Sequence, residues 1–176
     1  MGFVFGAAAS CSTEFELSVA FTKEESAGTA SETLLLDRPI SPHANLVTET
    51  GLKALKLQLQ EARNSYEAAQ RGEDVSERRR QSAIPLRDAR YFSERIRTAQ
   101  LVPAPSSTDK VAFATTVTFR RDDGPVQNYR IVGEDEADPK AGSISYVSPV
   151  AKSLMGKYVG DVVGEGRQEL EIIAIS

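Results

Sequence analysis

Cysteine and histidine are almost missing from this chain of 176 residues, which has one of each, Cys11 and His43, and no tryptophan. A lone cysteine excludes an internal disulfide, and two soft ligands fall short of the set a zinc site takes. One histidine in a proline-flanked segment leaves no Ser/His/Asp constellation, and Gly156-Lys157 follows no phosphate-binding loop pattern. A basic excess is lacking too. With 21 Lys and Arg against 25 Asp and Glu, the net charge is −4 and the pI about 5.2, so wholesale phosphate neutralisation is not expected and any nucleic-acid contact is local. No stretch approaches the roughly 18 apolar residues of a membrane span. What remains is a protein with an ordinary 40% of apolar residues, enough for a core, in a composition that suits a reducing cytoplasm.

The beginning of the chain carries little pattern. Residues Met1 to Ser12 have a weak apolar stretch without the basic residues of an export signal. Glu14-Phe15-Glu16-Leu17 is what two adjacent cloning sites would encode, so residues 1–17 read as vector-derived or as a misplaced start. Residues 1–45 as a whole read as an extended, disordered lead-in. Its apolar knot Leu34-Leu35-Leu36 suits packing on the domain better than partner docking.

Periodicity sets in at Thr48, a good N-cap, with Val47 and Leu52 placed for a hydrophobic staple. Leu52, Leu55, Leu59, Ala62, Tyr66 and Ala69 then recur at spacings of three and four, a heptad seam. Gly72 and the polar run Glu73 to Ser82 interrupt it. Pro85 suits the first turn of a second helix, in which Ala89, Phe92, Ile96 and Ala99 resume the seam until Pro103 and Pro105. Either helix alone would leave an apolar stripe in water, so residues 46–102 predict an antiparallel hairpin with arms of roughly 25 to 30 Å. The alternatives are helices lying flat on the following domain or pairing between two chains; a monomer is expected.

A linker, 103–110, leads to a change of period. Val111–Phe119, Val126–Val132, Ser143–Val147, Val159–Val163 and Leu170–Ile175 read as strands, with turn chemistry at Asp122-Asp123-Gly124-Pro125. Ser148 as N-cap, Pro149 at the first helical position and Gly156 past the end bracket one short helix. The expected fold class is α+β: a helical hairpin, then a small antiparallel sheet domain over 111–176 with one helix.

The run Tyr129-Arg130-Ile131-Val132-Gly133-Glu134-Asp135-Glu136-Ala137-Asp138, then Ser148-Pro149-Val150-Ala151, Leu154, Gly156-Lys157 and Val159-Gly160-Asp161-Val162-Val163, closely resembles the C-terminal domain of the GreA/GreB transcript-cleavage factors. Thr48 to Leu55 and Arg95 to Val102 resemble the two ends of that family's coiled coil. The resemblance implies an FKBP-like sheet domain docked at the rim of the secondary channel of bacterial RNA polymerase, with the hairpin entering the channel. It also implies a factor that is not itself an enzyme and has no cofactor of its own, but acts on the polymerase-bound Mg²⁺. Ser148 and Pro149 match the position the family uses to touch the polymerase, and Asp138 joins them as a partner contact.

At the tip this chain departs from the family. The family motif Gly-Asp-Leu-x-Glu-Asn-Ala-Glu-Tyr has carboxylates because Mg²⁺ is hard and prefers anionic oxygens. Here the stretch reads Gly72-Glu73-Asp74-Val75-Ser76-Glu77-Arg78-Arg79-Arg80. Glu73, Asp74 and Glu77 are the candidate tip carboxylates, and the alignment does not choose among them. The arginines beside them oppose metal recruitment, and the arm is shorter than in standard members. Arg78, Arg79 and Arg80 have three readings: a solvated charge run, pairing with local acids, or contact with phosphates of RNA or a nucleotide or with acidic residues of the polymerase; local RNA or DNA contact within the elongation complex is expected. The acidic run Glu134 to Asp138 is expected to be a solvated loop, with no calcium-loop spacing. Two functions follow, a working cleavage factor or a regulator that occupies the channel without cleavage. A third, peptidyl-prolyl isomerase activity, rests on fold analogy alone.

Overall fold

The computed structural model describes residues 35–121, 124–164 and 169–176. The expectations about the first 34 residues and about the turn residues Asp122 and Asp123 lie outside the described residues, whereas Leu35 and Leu36 of the expected apolar knot are exposed rather than packed on the domain. Among those described, no helix is long and apolar enough to cross a membrane.

The chain enters through a short strand β1 (Leu46–Val47), which leads into helix α1 (Glu49–Gln70). Thr48 caps α1 as its sequence predicts: its backbone is extended and its hydroxyl accepts the Gly51 N–H at 3.0 Å. The heptad seam is the buried face of this helix, with Leu55, Ala62 and Ala69 buried and Leu52, Leu59 and Tyr66 half-buried. It packs along helix α2 (Val75–Arg97), and strand β2 (Gln100–Leu101) returns to pair in parallel with β1, closing the base of the hairpin.

The second helix begins earlier than the sequence suggests. Pro85 sits in its interior rather than in its first turn. The polar stretch before it stays helical because Glu, Arg and Gln are good helix formers and Asp74 caps them. Proline deprives the exposed Gln81 of one backbone partner, and water can satisfy that carbonyl. The turn therefore shrinks to the residues between Gln70 and Val75. The arms, 22 and 23 residues long, extend about 33 to 35 Å at the helical rise, beyond the expected 25 to 30 Å.

The second half of the chain is a five-stranded sheet in the order β5-β4-β3-β7-β6, made of β3 (Thr116–Arg121), β4 (Val126–Val132), β5 (Ser143–Ser145), β6 (Val162–Val163) and β7 (Leu170–Ile175). Helix α3 (Pro149–Leu154) lies between β5 and β6 in the chain, capped by Ser148, whose Oγ accepts the Ala151 N–H at 3.2 Å. Gly156 follows its end at a φ of +77°, as expected of a glycine there. Alternation along β3 and β7 turns Val117, Phe119, Leu170 and Ile172 inward, where Ile131, Ile144, Val163 and, from α3, Ala151 and Leu154 complete the core.

Several expectations about the sheet are corrected, including two strand bounds: β6 starts at Val162 rather than Val159, and β5 ends at Ser145 rather than Val147. The sheet is not wholly antiparallel, because β5 pairs in parallel with β4. The segment between them carries the 3₁₀ turns Glu134–Glu136 and Pro139–Ala141 and brings the chain back to run alongside β4. The first strand starts at Thr116, not Val111. Thr115 is the reason: its hydroxyl donates to the Ala112 carbonyl at 2.8 Å and accepts the Ala112 N–H at 3.2 Å, closing a turn with Ala114 at a φ of +68°.

Candidate functional site

The hairpin tip gathers the sequence-predicted carboxylates within little more than one helical turn but gives them different surroundings. Glu73 lies exposed in the turn. Asp74 is the N-cap of α2, its Oδ1 accepting the N–H groups of Ser76 at 2.6 Å and Glu77 at 2.9 Å. Those bonds, that of Glu77 first, hold the Asp74 carboxyl below its ordinary range, with a smaller pull from Arg78 and Arg80. Glu77 is ion-paired with Arg80 and accepts from Gln81 Nε2 at 2.6 Å. Of the arginines, Arg80 thus takes the local pairing reading, while Arg78 and Arg79 line a shallow recess of about 360 Å³ with Gln70, Val75 and Ser82. Chemically this tip offers one open carboxylate, one tied to backbone, one tied to side chains, and two arginines lining a recess.

Ser148, Pro149 and Asp138 are not clustered at one point. Asp138 caps the turn entering β5, accepting the Lys140 N–H at 3.0 Å, and Ser148 follows the other end of that strand, its N–H donating to the Ser145 carbonyl at 2.9 Å. Pro149 and Asp138 are exposed and Ser148 is half-buried.

The acidic run is where sequence reasoning missed most. Glu134, Asp135 and Glu136 do not form a solvated loop; all three are at least half-buried against the base of the hairpin. Asp135 accepts from Arg95 Nε at 2.5 Å through Oδ2 and from the Tyr91 hydroxyl at 2.5 Å through Oδ1. Arg95 is 1% exposed, with Glu134 a further 3.7 Å from its Nη2. Glu136 Oε1 accepts from the hydroxyl of Thr48, the cap of α1, at 2.5 Å. Burial, then the bond to Asp135, pushes the Tyr91 phenol up to about 12. Asn45 adds a bond from its Nδ2 to the Arg95 carbonyl at 2.6 Å, and the Tyr146 hydroxyl donates to the Ala44 carbonyl. Outside this joint, Arg38 lies 3.7 Å over the ring of Tyr91, holding the incoming chain on α2. The one sequence signal for the joint was the spacing of Tyr91 and Arg95, a helical turn apart on one face of α2.

The described residues thus form a helical hairpin followed by a five-stranded sheet domain. The profile described as "Transcription elongation factor, GreA/GreB, C-term" matches residues 106–176. The transcription elongation factor GreA of Desulfovibrio desulfuricans is 35% identical over 151 residues, which cover 78% of this chain and 93% of the relative. The chain belongs to the GreA/GreB family. The transcription elongation factor GreB of Neisseria meningitidis serogroup B is 32% identical over 152 residues, covering 74% of this chain and 93% of that GreB. Among solved structures, the GreA factor homolog 1 of Thermus thermophilus aligns with a TM-score of 0.36 at 21% identity, over 76% of this chain and 99% of that one. As a GreA/GreB protein, the chain is a transcription elongation factor in class.

Proposed function

We propose that this chain binds bacterial RNA polymerase and regulates transcription elongation, with its hairpin in the secondary channel and its sheet domain at the channel rim. The observation that carries the reading is an exposed acidic turn, Glu73 at its apex, at the end of a helical pair about 33 Å long, in a member of this family. Ser148, Pro149 and Asp138 make the rim contact, and Arg78 and Arg79 meet RNA or DNA phosphates inside the complex. The protein acts as a monomer in the bacterial cytoplasm, has no cofactor of its own, and is not an enzyme: any cleavage chemistry belongs to the polymerase and its Mg²⁺.

Occupying the channel fits the tip better than holding a metal ion. Two of the three carboxylates already serve internal bonds, and the arginines place positive charge beside them. The cleavage reading draws its support from Glu73, which lies open, and from Asp74, whose second oxygen takes no part in the cap. The test is transcript cleavage in a purified backtracked polymerase complex with Mg²⁺, comparing the native protein with Glu73→Gln/Asp74→Asn/Glu77→Gln. Asparagine caps a helix as well as aspartate does, so the triple variant removes charge and spares the fold. Binding to polymerase without stimulated cleavage is the expected result. Stimulation that disappears in the variant would establish a cleavage factor with a rearranged tip, and absence of binding would sink the whole reading.

A further inference from the structure

The loop Glu134–Glu136 of the sheet domain packs against the hairpin base, and its chemistry is one-sided. Three consecutive acids, Glu134, Asp135 and Glu136, face the hairpin base, where Arg95 is the guanidinium that answers them. Glu134 Oε2 and Glu136 Oε2 are buried without a hydrogen-bond partner among the described residues. Arg95 is therefore the group that makes burial of this loop tolerable, since buried carboxylates without a counter-charge are costly.

The contacts also fix direction. Asp135 uses both oxygens on α2, one for Arg95 and one for Tyr91 a turn away, which resists rotation of that helix about its axis. Glu136 holds Thr48 at the root of α1, so that each helix is gripped by a neighbouring residue of the same loop. The fit leaves little slack: a Cβ on Gly133 would stand 2.4 Å from the Leu46 carbonyl oxygen, and one on Gly51 2.4 Å from Glu136 Oε2. A lever of about 33 Å amplifies any loosening, because a tilt of about 10° at its base carries the tip some 6 Å.

We propose that Arg95 and Asp135 are positioning residues: their buried ion pair, braced by Tyr91, sets the angle at which the hairpin leaves the sheet domain and thereby where the tip arrives once that domain has docked. This rests on the proposed polymerase-binding function, and the experiment separates the two. Spin labels at Glu67→Cys on α1 and Asn128→Cys on β4, both exposed, with Cys11→Ser in the background, report the hairpin angle in the free protein by double electron-electron resonance. The native chain gives one narrow distance distribution. Arg95→Gln and Asp135→Ala broaden it about twofold with circular dichroism retained, and Tyr91→Phe and Arg95→Lys broaden it less. If the first pair fail to fold, the milder pair carry the test.

In elongation assays the same variants keep half-saturation within about threefold of native while the response at saturation falls about tenfold, the split expected when only the productive geometry is lost. Unchanged distance distributions would overturn the proposal, as would broadening with a full response at saturation. A native protein that fails to bind polymerase would sink the proposed function instead, and the distance measurement would still decide whether this pair sets the hairpin angle.

Discussion

Arg95 is the most buried polar residue among those described. It is buried, its pairing with Asp135 is direct, and a partner removed from such a pair leaves the other charge stranded. Arg95→Ala is expected to lower unfolding free energy by about 3 to 5 kcal/mol in urea titration. Tyr91 makes a pH-resolved prediction. Its phenol titrates near 10 in the unfolded chain and at about 12 in the folded one. The neutral form is thus the one the fold favours, so its contribution is fully present below pH 10 and is lost as pH rises through 12. Ultraviolet difference titration should show a tyrosine ionising late in the native protein, and Tyr91→Phe should abolish that late step. Gly133→Ala tests the close approach to Leu46: the clash is with backbone, which cannot swing aside, and a loss of about 1 to 3 kcal/mol is expected by denaturant melt.

At the level of elements, what matters is where helices begin and strands pair. Pro85 interrupts the hydrogen bonding of α2 about halfway along, and Pro85→Ala should stabilise the hairpin by up to about 3 kcal/mol, read as a raised melting temperature by circular dichroism. Several boundaries were legible in the residues alone. β4 and β7 run over the predicted residues, and the caps Thr48 and Ser148 act as predicted, because alternation and capping are local. The start of α2 and the parallel pairing of β5 were not legible. The first was hidden by Pro85, which suits a first turn and so masked the cap at Asp74 and the helix formers after it, and the second depends on a crossover whose course the local sequence does not dictate.

For the whole molecule, the proposed function makes the placement of the tip relative to the proposed docking face the decisive feature. The hairpin was foreseeable from its two seams and its polar break, and so was the sheet domain from its strand periods. The candidate tip carboxylates were read as lying in a polar break; the structure puts Glu73 in the turn, Asp74 at the cap and Glu77 in the first turn of α2, with Asp74 engaged in capping and Glu77 in pairing. The residues proposed to make the docking contact flank β5 at its two ends. By itself the sequence determined the elements, their order and the family, because helix and strand periods, caps and short motifs are written within a few residues of one another. Only the tertiary structure decided that Glu134, Asp135 and Glu136 are a socket rather than a solvated loop. An acidic run looks the same in both settings until an arginine 40 residues away is folded against it.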